Sequence, residues 1–501
     1  MKNLTQLLVS NKLISNKISQ EYIKHAQKTF LAESDVEKFV LACSRPLRKS
    51  IRINTLKISV SDFKKIATQY HINLIPIPWC EEGFWVEADL AEQPHDKFSL
   101  VSESLGNLPE HLQGLFYIQE ASSMLPPIAL LKDESADLLI DNPMLLDFAA
   151  APGSKTTQLA ALVNNRGLVL ANEISASRVK VLHSNLVRCG VTNSCMTQFD
   201  GRKLGDRLSG LFDYVLLDAP CGGEGTVRKD PNALVNWQLD KVEEIAKLQK
   251  ELILKAYQCL KPGGKLVYST CTLSPEENQQ VANYLIEQTD ANIFSLNDLF
   301  DGAEKAITQE GFLHVLPHIY DSEGFFVCAF TKPEGSEITY FNGDISSPFN
   351  EINRNQLKQV ESYYLSHFGL EFSQLDCVIK QRDKEVWFFP KPFDLISSVV
   401  RLNRSGIKLA EIYPNKIRST HEFAMCFSHQ IKMQKIELNV QQVEDFFKGR
   451  DFTVEDTSIN NGEVILMFNG FAIGLGRNQK NKIKNMLPRD LVKDQLKINP
   501  K

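Results

Sequence analysis

"MLLDFAAAPGSKTTQLAALV", Met144–Val163, decides the fold. A short unbroken apolar run reads as a strand buried on both faces. It gives way at Ala149 to small residues and a Pro-Gly pair, then to a helical stretch rich in Thr and Ala. The rhythm returns where "GLVLANE" (167–173) leads into "SASRVKVLHSNLVRCG" (175–190). "SCMTQFD" (194–200), "FDYVLLDAP" (212–220) and "GGKLVYST" (263–270) continue it. Strands alternating with helical patterns predict an α/β unit with a parallel, doubly wound sheet over about residues 111–333. "FLHVLPHIYDSEGFFVCAFTK" (312–332) closes it with two runs around an Asp-Ser-Glu-Gly turn, which predicts an antiparallel hairpin at the sheet edge.

The remainder of the 501 residues implies further domains, since single cores stop growing well short of this length. Residues 1–40 read as polar, amphipathic helices. "SIRINTLKISVSDFKKIATQYHI" (50–72) reads as strand then helix, so an N-terminal α+β unit is expected to about residue 110. The turn-rich stretch "PEGSEITYFNGDISSPFNE" (333–351) opens a linker and small α/β extension over 334–395, which includes "DKEVWFFP". Residues 396–501 read as a strand-rich tail.

Apolar and charged fractions are those of an ordinary globular protein, with no apolar stretch of membrane-spanning length. The start "MKNLTQLLVSNKLISNK" does not resemble a signal peptide. The ten cysteines include no CxxC pair and no Cys/His spacing for zinc, so reduced thiols in the cytoplasm and no metal are expected. The net charge of −5 is uneven: residues 401–501 hold 17 Lys/Arg against 11 Asp/Glu. A second basic run, "RPLRKSIRINTLKISVSDFKK" (45–65), is opposed only by Asp62. Both runs could meet nucleic acid, or could be solvated faces.

Ligands of open α/β sheets bind beyond the carboxyl ends of the strands. The loop Ala149-Ala150-Ala151-Pro152-Gly153-Ser154-Lys155 lies at such an end. Its small residues allow close approach, and Gly153 permits a positive φ. GxxxxGK is excluded by Phe148 and Ser154, and GxGxxG is missing. Glu173 ends the second strand, where an acid binds ribose hydroxyls. Asp200 and Asp218 end the third and fourth. Single acids there are often helix caps, but three with this loop favour a nucleoside-containing cofactor.

"DFAAAPGSKT", "DAPCGGEG" and "YSTCTLSPEEN", in this order, resemble the RNA 5-methylcytosine methyltransferases of the Nop2/Sun family. The resemblance covers about residues 111–333 and implies a Rossmann-like domain that binds S-adenosylmethionine. It assigns the cofactor's methionine part to Ala149, Ala150, Ala151, Pro152, Gly153, Ser154 and Lys155, its ribose to Glu173, its adenine to Asp200, and further contacts to Asp218. Family members often carry Cys-Ser-Gly where this chain has Cys221-Gly222-Gly223.

Cytosine C5 is too poor a nucleophile to take a methyl group unaided. A thiolate added to C6 makes C5 enamine-like, splitting one hard step into easier ones. Cys221 and Cys271 both follow strands expected to be neighbours, about 4.8 Å apart, so both could face one flipped-out base. "SPEE" reads as a helix start, with Ser274 as N-cap, Pro275 at N1 and Glu277 closing a capping box. Cys271 would then lie near a helix N-terminus, which lowers a thiol's pKa. Spacing does not say which thiol attacks. The resemblance implies Cys271 as nucleophile and Cys221 as the aid to product release; the Glu-Asn-Val of DNA enzymes with the reverse roles is absent. Lys155 and Asp218 could also orient the cytosine or merely brace the loop.

"FYIQEASSMLPPIALL" (116–131) is similar to the family segment entering the cofactor domain, with Gln119 and Ser122 near the site. "SGIKLAEI", "FNGFAIGLGR" and "IKNMLPRDLV" resemble a PUA-type RNA-binding domain over 396–501. This layout resembles the family's bacterial 16S ribosomal RNA branch more than its tRNA or 23S members. It implies ribosomal RNA as the partner, alone or within the small subunit; a monomer is expected, though the oligomeric state is not fixed by the sequence, with no membrane and no metal. The alternative from another class is a catalytically idle RNA-binding assembly factor, which would need no pair of placed thiols.

Overall fold

The computed structural model describes residues 18–88, 105–132, 141–339, 341, 343–372, 375–455, 459–494, 496 and 498. The helical reading of residues 1–17 lies outside them. Helices Gln20–Thr29 and Val36–Ser44 open the described chain, the first capped by Ser19 Oγ, which accepts the Tyr22 N–H at 3.1 Å.

Strands β1 (Ser50–Ile53), β2 (Ile72–Ile77), β3 (Cys80–Ala88) and β4 (Phe116–Ile118) form an antiparallel sheet in the order β2-β3-β1-β4. The N-terminal unit therefore runs past residue 110, where its end was expected. The reason is non-local: Ile51 pairs with Ile118 across the sheet. Part of the basic run 45–65 is spent inside the protein, while Arg45, Lys49, Lys64 and Lys65 stay exposed. Arg52 is buried, donating to Gln119 Oε1 at 2.9 Å and Thr157 Oγ1 at 2.8 Å, and Arg48 reaches Glu87 at 2.7 Å. These cations fasten the first unit to itself and to the next.

The central sheet contains β5 (Met144–Asp147), β6 (Leu168–Asn172), β7 (Ser194–Thr197), β8 (Phe212–Asp218), β9 (Leu260–Thr270), β10 (Asn292–Phe294), β11 (Leu313–Val315) and β12 (Phe325–Thr331). Its order is β10-β12-β9-β8-β5-β6-β7, with β11 also on β12. Strands β5 to β9 pair in parallel, as their apolar runs predict. The chain winds outward through β6 to β7, then crosses to the other side of β5 for β8 and β9, so the topological switch lies between β5 and β8. Side chains alternate across the sheet. Leu145, Val169 and Leu216 pack with Leu125 and Leu159; Leu146, Leu170 and Leu217 pack on the other face with Ile253 and Tyr257.

The closing hairpin forms, with Val315 opposite Phe325, but β12 is not an edge strand. It lies between β9 and β10, antiparallel to both. β10 spans only "NIF", too short to announce a strand.

A third sheet runs β13 (Asn350–Glu351), β14 (Cys377–Arg382), β15 (Glu385–Pro390), β16 (Ile407–Tyr413) and β17 (Lys416–Ser419) in sequence order. The division expected at residues 395 and 396 falls inside it, because Val386 pairs with Ala410. Strand β15 also serves two cores: Trp387 and Phe389 join the α/β core, Val386 and Phe388 that of the third sheet. The last sheet holds β18 (Lys435–Glu437), β19 (Phe452–Thr453), β20 (Gly462–Phe468), β21 (Phe471–Gln479) and β22 (Lys482–Asn485), ordered β18-β20-β21-β22-β19. Among the described residues no helix is long and apolar enough to cross a membrane.

Candidate active site

The carboxyl ends of β5, β6, β8 and β9 supply the site. After β5 the loop turns at Gly153, whose φ of 105° is left-handed, and the helix Ser154–Leu162 begins. The left-handed backbone favours glycine there, and a Cβ would also press on Leu182 Cδ1 at 2.9 Å. The loop is held from several sides. The Ala150 N–H donates to Asn172 O at 2.7 Å, Asn185 Nδ2 to Pro152 O at 2.9 Å, and Arg178 to Ala151 O. Arg178 also faces Glu173 at 3.2 Å. At the end of β5, buried Asp147 accepts the Thr156 hydroxyl at 2.6 Å, and burial pushes its carboxyl up to about 7.

Of the expected acids, Glu173 sits buried at the end of β6, accepting the Ser175 N–H at 2.9 Å. Asp200 behaves as the cap that single acids often are. It accepts the Arg202 N–H at 3.0 Å at the start of the helix Gly201–Leu208 and binds the Arg202 guanidinium, which holds its carboxyl below the usual range. Asp218 closes β8 and binds the Lys155 ammonium at 2.6 Å and the Ser269 hydroxyl at 2.8 Å. Burial pulls the Lys155 pKa down, but Asp218 more than offsets it, so the lysine ends above its ordinary value. The Lys155 nitrogen also lies 5.5 Å from the Phe325 ring centroid. Gln119 and Ser122 are engaged elsewhere, Gln119 with Arg52, Ser123 and Gln158, and Ser122 with Glu120.

Cys221 and Cys271 come together. Strands β8 and β9 are parallel neighbours with Asp218 opposite Ser269, so both chains leave the sheet at one place. The two sulfurs lie 3.1 Å apart, both residues are half-buried, and neither forms a disulfide. Cys43, Cys80 and Cys426 are buried, and burial pushes each up to about 12, as for inert core thiols. The Cys221 thiol is pushed well above its ordinary value by its hydrogen bond with Cys271 and by burial.

Two buried carboxylates hold these thiol loops in reciprocal fashion. Glu224, from the Cys221 loop, reaches the Cys271 loop, accepting the Leu273 N–H at 3.0 Å, the Ser274 N–H at 2.8 Å and the Ser274 hydroxyl at 2.6 Å. It also accepts Trp237 Nε1–H at 2.5 Å. Glu277, from the Cys271 loop, reaches back to the Gly222 N–H at 3.0 Å and to Gln249 Nε2 at 2.7 Å. The Gly225 N–H donates to Cys271 O at 2.9 Å. Burial, with the Glu224 charge adding, pushes Glu277 up to about 7.

This clasp overturns the expected capping box. Ser274 is taken by Glu224 and Glu277 by Gly222, and the helix starts only at Gln279 (Gln279–Gln288). No helix N-terminus therefore lies at Cys271. The residues of the clasp, Glu224 in "DAPCGGEG" and Glu277 in "SPEEN", are plain in the sequence, but each stands near another acid and nothing local tied one to the other.

A doubly wound sheet with a glycine loop after its first strand and acids at the next strand ends defines an S-adenosylmethionine-dependent methyltransferase. The chain belongs to the 16S rRNA methyltransferase RsmB/F family, whose model matches residues 138–331. Three more family models match: the N-terminal domain of 16S rRNA methyltransferase RsmF at 18–121, the pre-PUA domain of ribosomal RNA small subunit methyltransferase F at 349–427, and the RsmF PUA domain at 433–493. The chain is 47% identical over 490 residues to ribosomal RNA small subunit methyltransferase F of Shewanella oneidensis, covering 97% of this chain and 98% of that one. The protein of the same name from Vibrio atlanticus is 46% identical over 483 residues, covering 95% and 98%. Among solved structures, a methyltransferase homologue from Pyrococcus horikoshii is 31% identical with a TM-score of 0.53, over 64% of this chain and 98% of that one. NSun6 from Pyrococcus horikoshii, solved with SFG, shares the fold at 24% identity and a TM-score of 0.53, over 63% and 99%.

Proposed function

We propose that this chain methylates C5 of a cytosine in 16S ribosomal RNA through a covalent bond between Cys271 and C6. The observation that carries the reading is the pair of reduced, half-buried thiols 3.1 Å apart beside the Lys155–Asp218 ion pair. S-Adenosylmethionine supplies an electrophilic methyl group on a sulfonium. Its donor set suits the site: Ala149 to Lys155 admit the methionine part at a turn with no side chain at Gly153, and Glu173 offers a carboxylate to the ribose. Asp200 meets the adenine only by sharing oxygens it already gives to Arg202.

The Cys271 thiolate adds to C6, and the C5–C6 electron pair moves onto C5, which takes the methyl group. The C5 proton then leaves to water, the double bond re-forms, and the pair in the C6–S bond returns to sulfur. Cys221 suits the last step. Its high pKa keeps the proton on, so it does not compete as nucleophile, and its S–H can hydrogen-bond the departing Cys271 thiolate. Thiols this close would oxidise outside a reducing compartment, which supports a cytoplasmic site of action.

The test is the behaviour of two variants with RNA on a denaturing gel. Cys271→Ala should be inactive and leave RNA unlinked. Cys221→Ala should attack and methylate but stall, leaving protein joined to RNA. An adduct with C271A, or none with properly folded C221A, overturns the assignment. Mapping 5-methylcytosine in 16S ribosomal RNA with and without the gene tests the substrate.

A further inference from the structure

Four parts of the fold meet at a cleft of about 270 Å³. Lys57 and Gln113 line it from the first unit and Gly190 from the end of the helix Ala176–Cys189. His429 follows the helix His421–Phe427, and Lys435 and Gly470 belong to the last sheet. The Lys57 ammonium donates to Gln113 O and Arg188 O, each at 2.8 Å. An ammonium has three N–H donors, and no described residue accepts the third. Gly190 leaves room for this lysine, since a Cβ there would lie 2.8 Å from Lys57 Cε.

No carboxylate among the described residues pairs with Lys57, Lys435 or His429. Glu437, two residues along β18 from Lys435, accepts the Gly470 N–H at 3.3 Å. The cations repel one another: Lys57 and Lys435 both lower the His429 pKa, after burial, and burial brings Lys57 itself down to about 8. Two uncompensated ammonium groups and an imidazole therefore line one cleft that opens to solvent. An anion offsets that repulsion through charge-assisted hydrogen bonds.

We propose that this cleft binds a phosphate group of the RNA backbone, between the N-terminal unit and the last sheet. The proposal rests on the RNA substrate proposed above. A phosphate held there would tie both flanking units to the catalytic sheet at once.

The test uses the full chain and a 16S ribosomal RNA fragment in filter binding across a salt series. Lys435→Gln is the leading variant, because Lys435 makes no hydrogen bond within the described structure and its loss should not disturb folding. Each phosphate contact contributes roughly 0.7–0.9 to the slope of log K against log salt, so K435Q should lower the slope by nearly one unit. Its RNA affinity should fall several-fold, and K435E should lose more. Affinity for S-adenosylmethionine should be unchanged in both. Inorganic phosphate should raise the thermal midpoint of the parent protein and not that of K57Q/K435Q. An unchanged RNA slope with the phosphate effect lost would reject RNA in favour of a free phosphate. Unchanged slope and unchanged phosphate effect would reject the site. A lowered slope in a protein that forms no 5-methylcytosine would uphold the cleft while the proposed reaction fails.

Discussion

Glu277 should make the thiol loops sensitive to pH, and Glu277→Gln should reverse the sign of its own effect between acid and alkali. Below about pH 4.5 the carboxyl is neutral whether the loops are folded or open, so burial carries no electrostatic cost. Burial raises the folded value from 4.5 to about 7. Between these values the opened form ionises while the folded form keeps its proton, and stability falls by about 1.4 kcal/mol per pH unit. Above pH 7 both forms are ionised and the deficit levels off near 3 kcal/mol. A glutamine carries no charge at any pH. One carboxylate oxygen of Glu277 accepts both the Gly222 N–H and the Gln249 Nε2–H, so an amide oxygen in its place keeps both bonds. The amide NH₂ then stands where the second oxygen accepted the Gly222 N–H at 3.3 Å, and that longer bond is exchanged for a donor-to-donor contact. One exchanged hydrogen bond costs about 1 kcal/mol. E277Q should therefore be about 1 kcal/mol less stable than the parent near pH 4, about equal to it near pH 5 and about 2 kcal/mol more stable near pH 8. Hydrogen exchange of the amides in residues 219–225 and 271–278 is the suitable assay, because it reports local opening in a chain of several units. A difference that stays constant across this pH range would refute the reasoning. It would mean that Glu277 is ionised throughout and that its hydrogen bonds compensate fully for burial.

Glu173→Ala should weaken S-adenosylmethionine binding on the order of 1–3 kcal/mol by leaving ribose hydroxyls unpaired; unchanged affinity by calorimetry would remove Glu173 from the site. Glu224→Gln turns an amide NH₂ toward buried donors, so it should cost about 2 kcal/mol of stability and slow methyl transfer while cofactor affinity holds. Full stability and full rate in denaturant unfolding and single-turnover assays would show that the clasp is dispensable. Gly153→Ala should abolish cofactor binding measured by calorimetry, since the left-handed turn and the Leu182 contact both oppose a Cβ, and retained affinity would show that the loop adapts.

The central sheet was legible along the chain, because its information is local. Unbroken apolar runs such as "MLLDF" and "FDYVLLDAP" can be satisfied only as strands buried on both faces, and the loop at Gly153 needs no distant partner to be recognised. The same runs placed Glu173, Asp218, Cys221 and Cys271 at strand ends. Tertiary structure decided what those ends do. Parallel pairing of β8 with β9 brings residues fifty positions apart to a sulfur–sulfur distance of 3.1 Å. Glu224 and Glu277 became a clasp between loops because burial forces each carboxylate to find donors, and the nearest unpaired ones lay on the other loop. That competition took Ser274 and Glu277 from the expected capping box, while Asp200, with Arg202 beside it, stayed a cap. The division expected at 395 and 396 failed for a related reason: β15 pairs with a strand about twenty residues on and shares its aromatic side chains between two cores. Spacing along the chain records what a segment can form; which partner satisfies its buried polar groups is set only when distant segments meet.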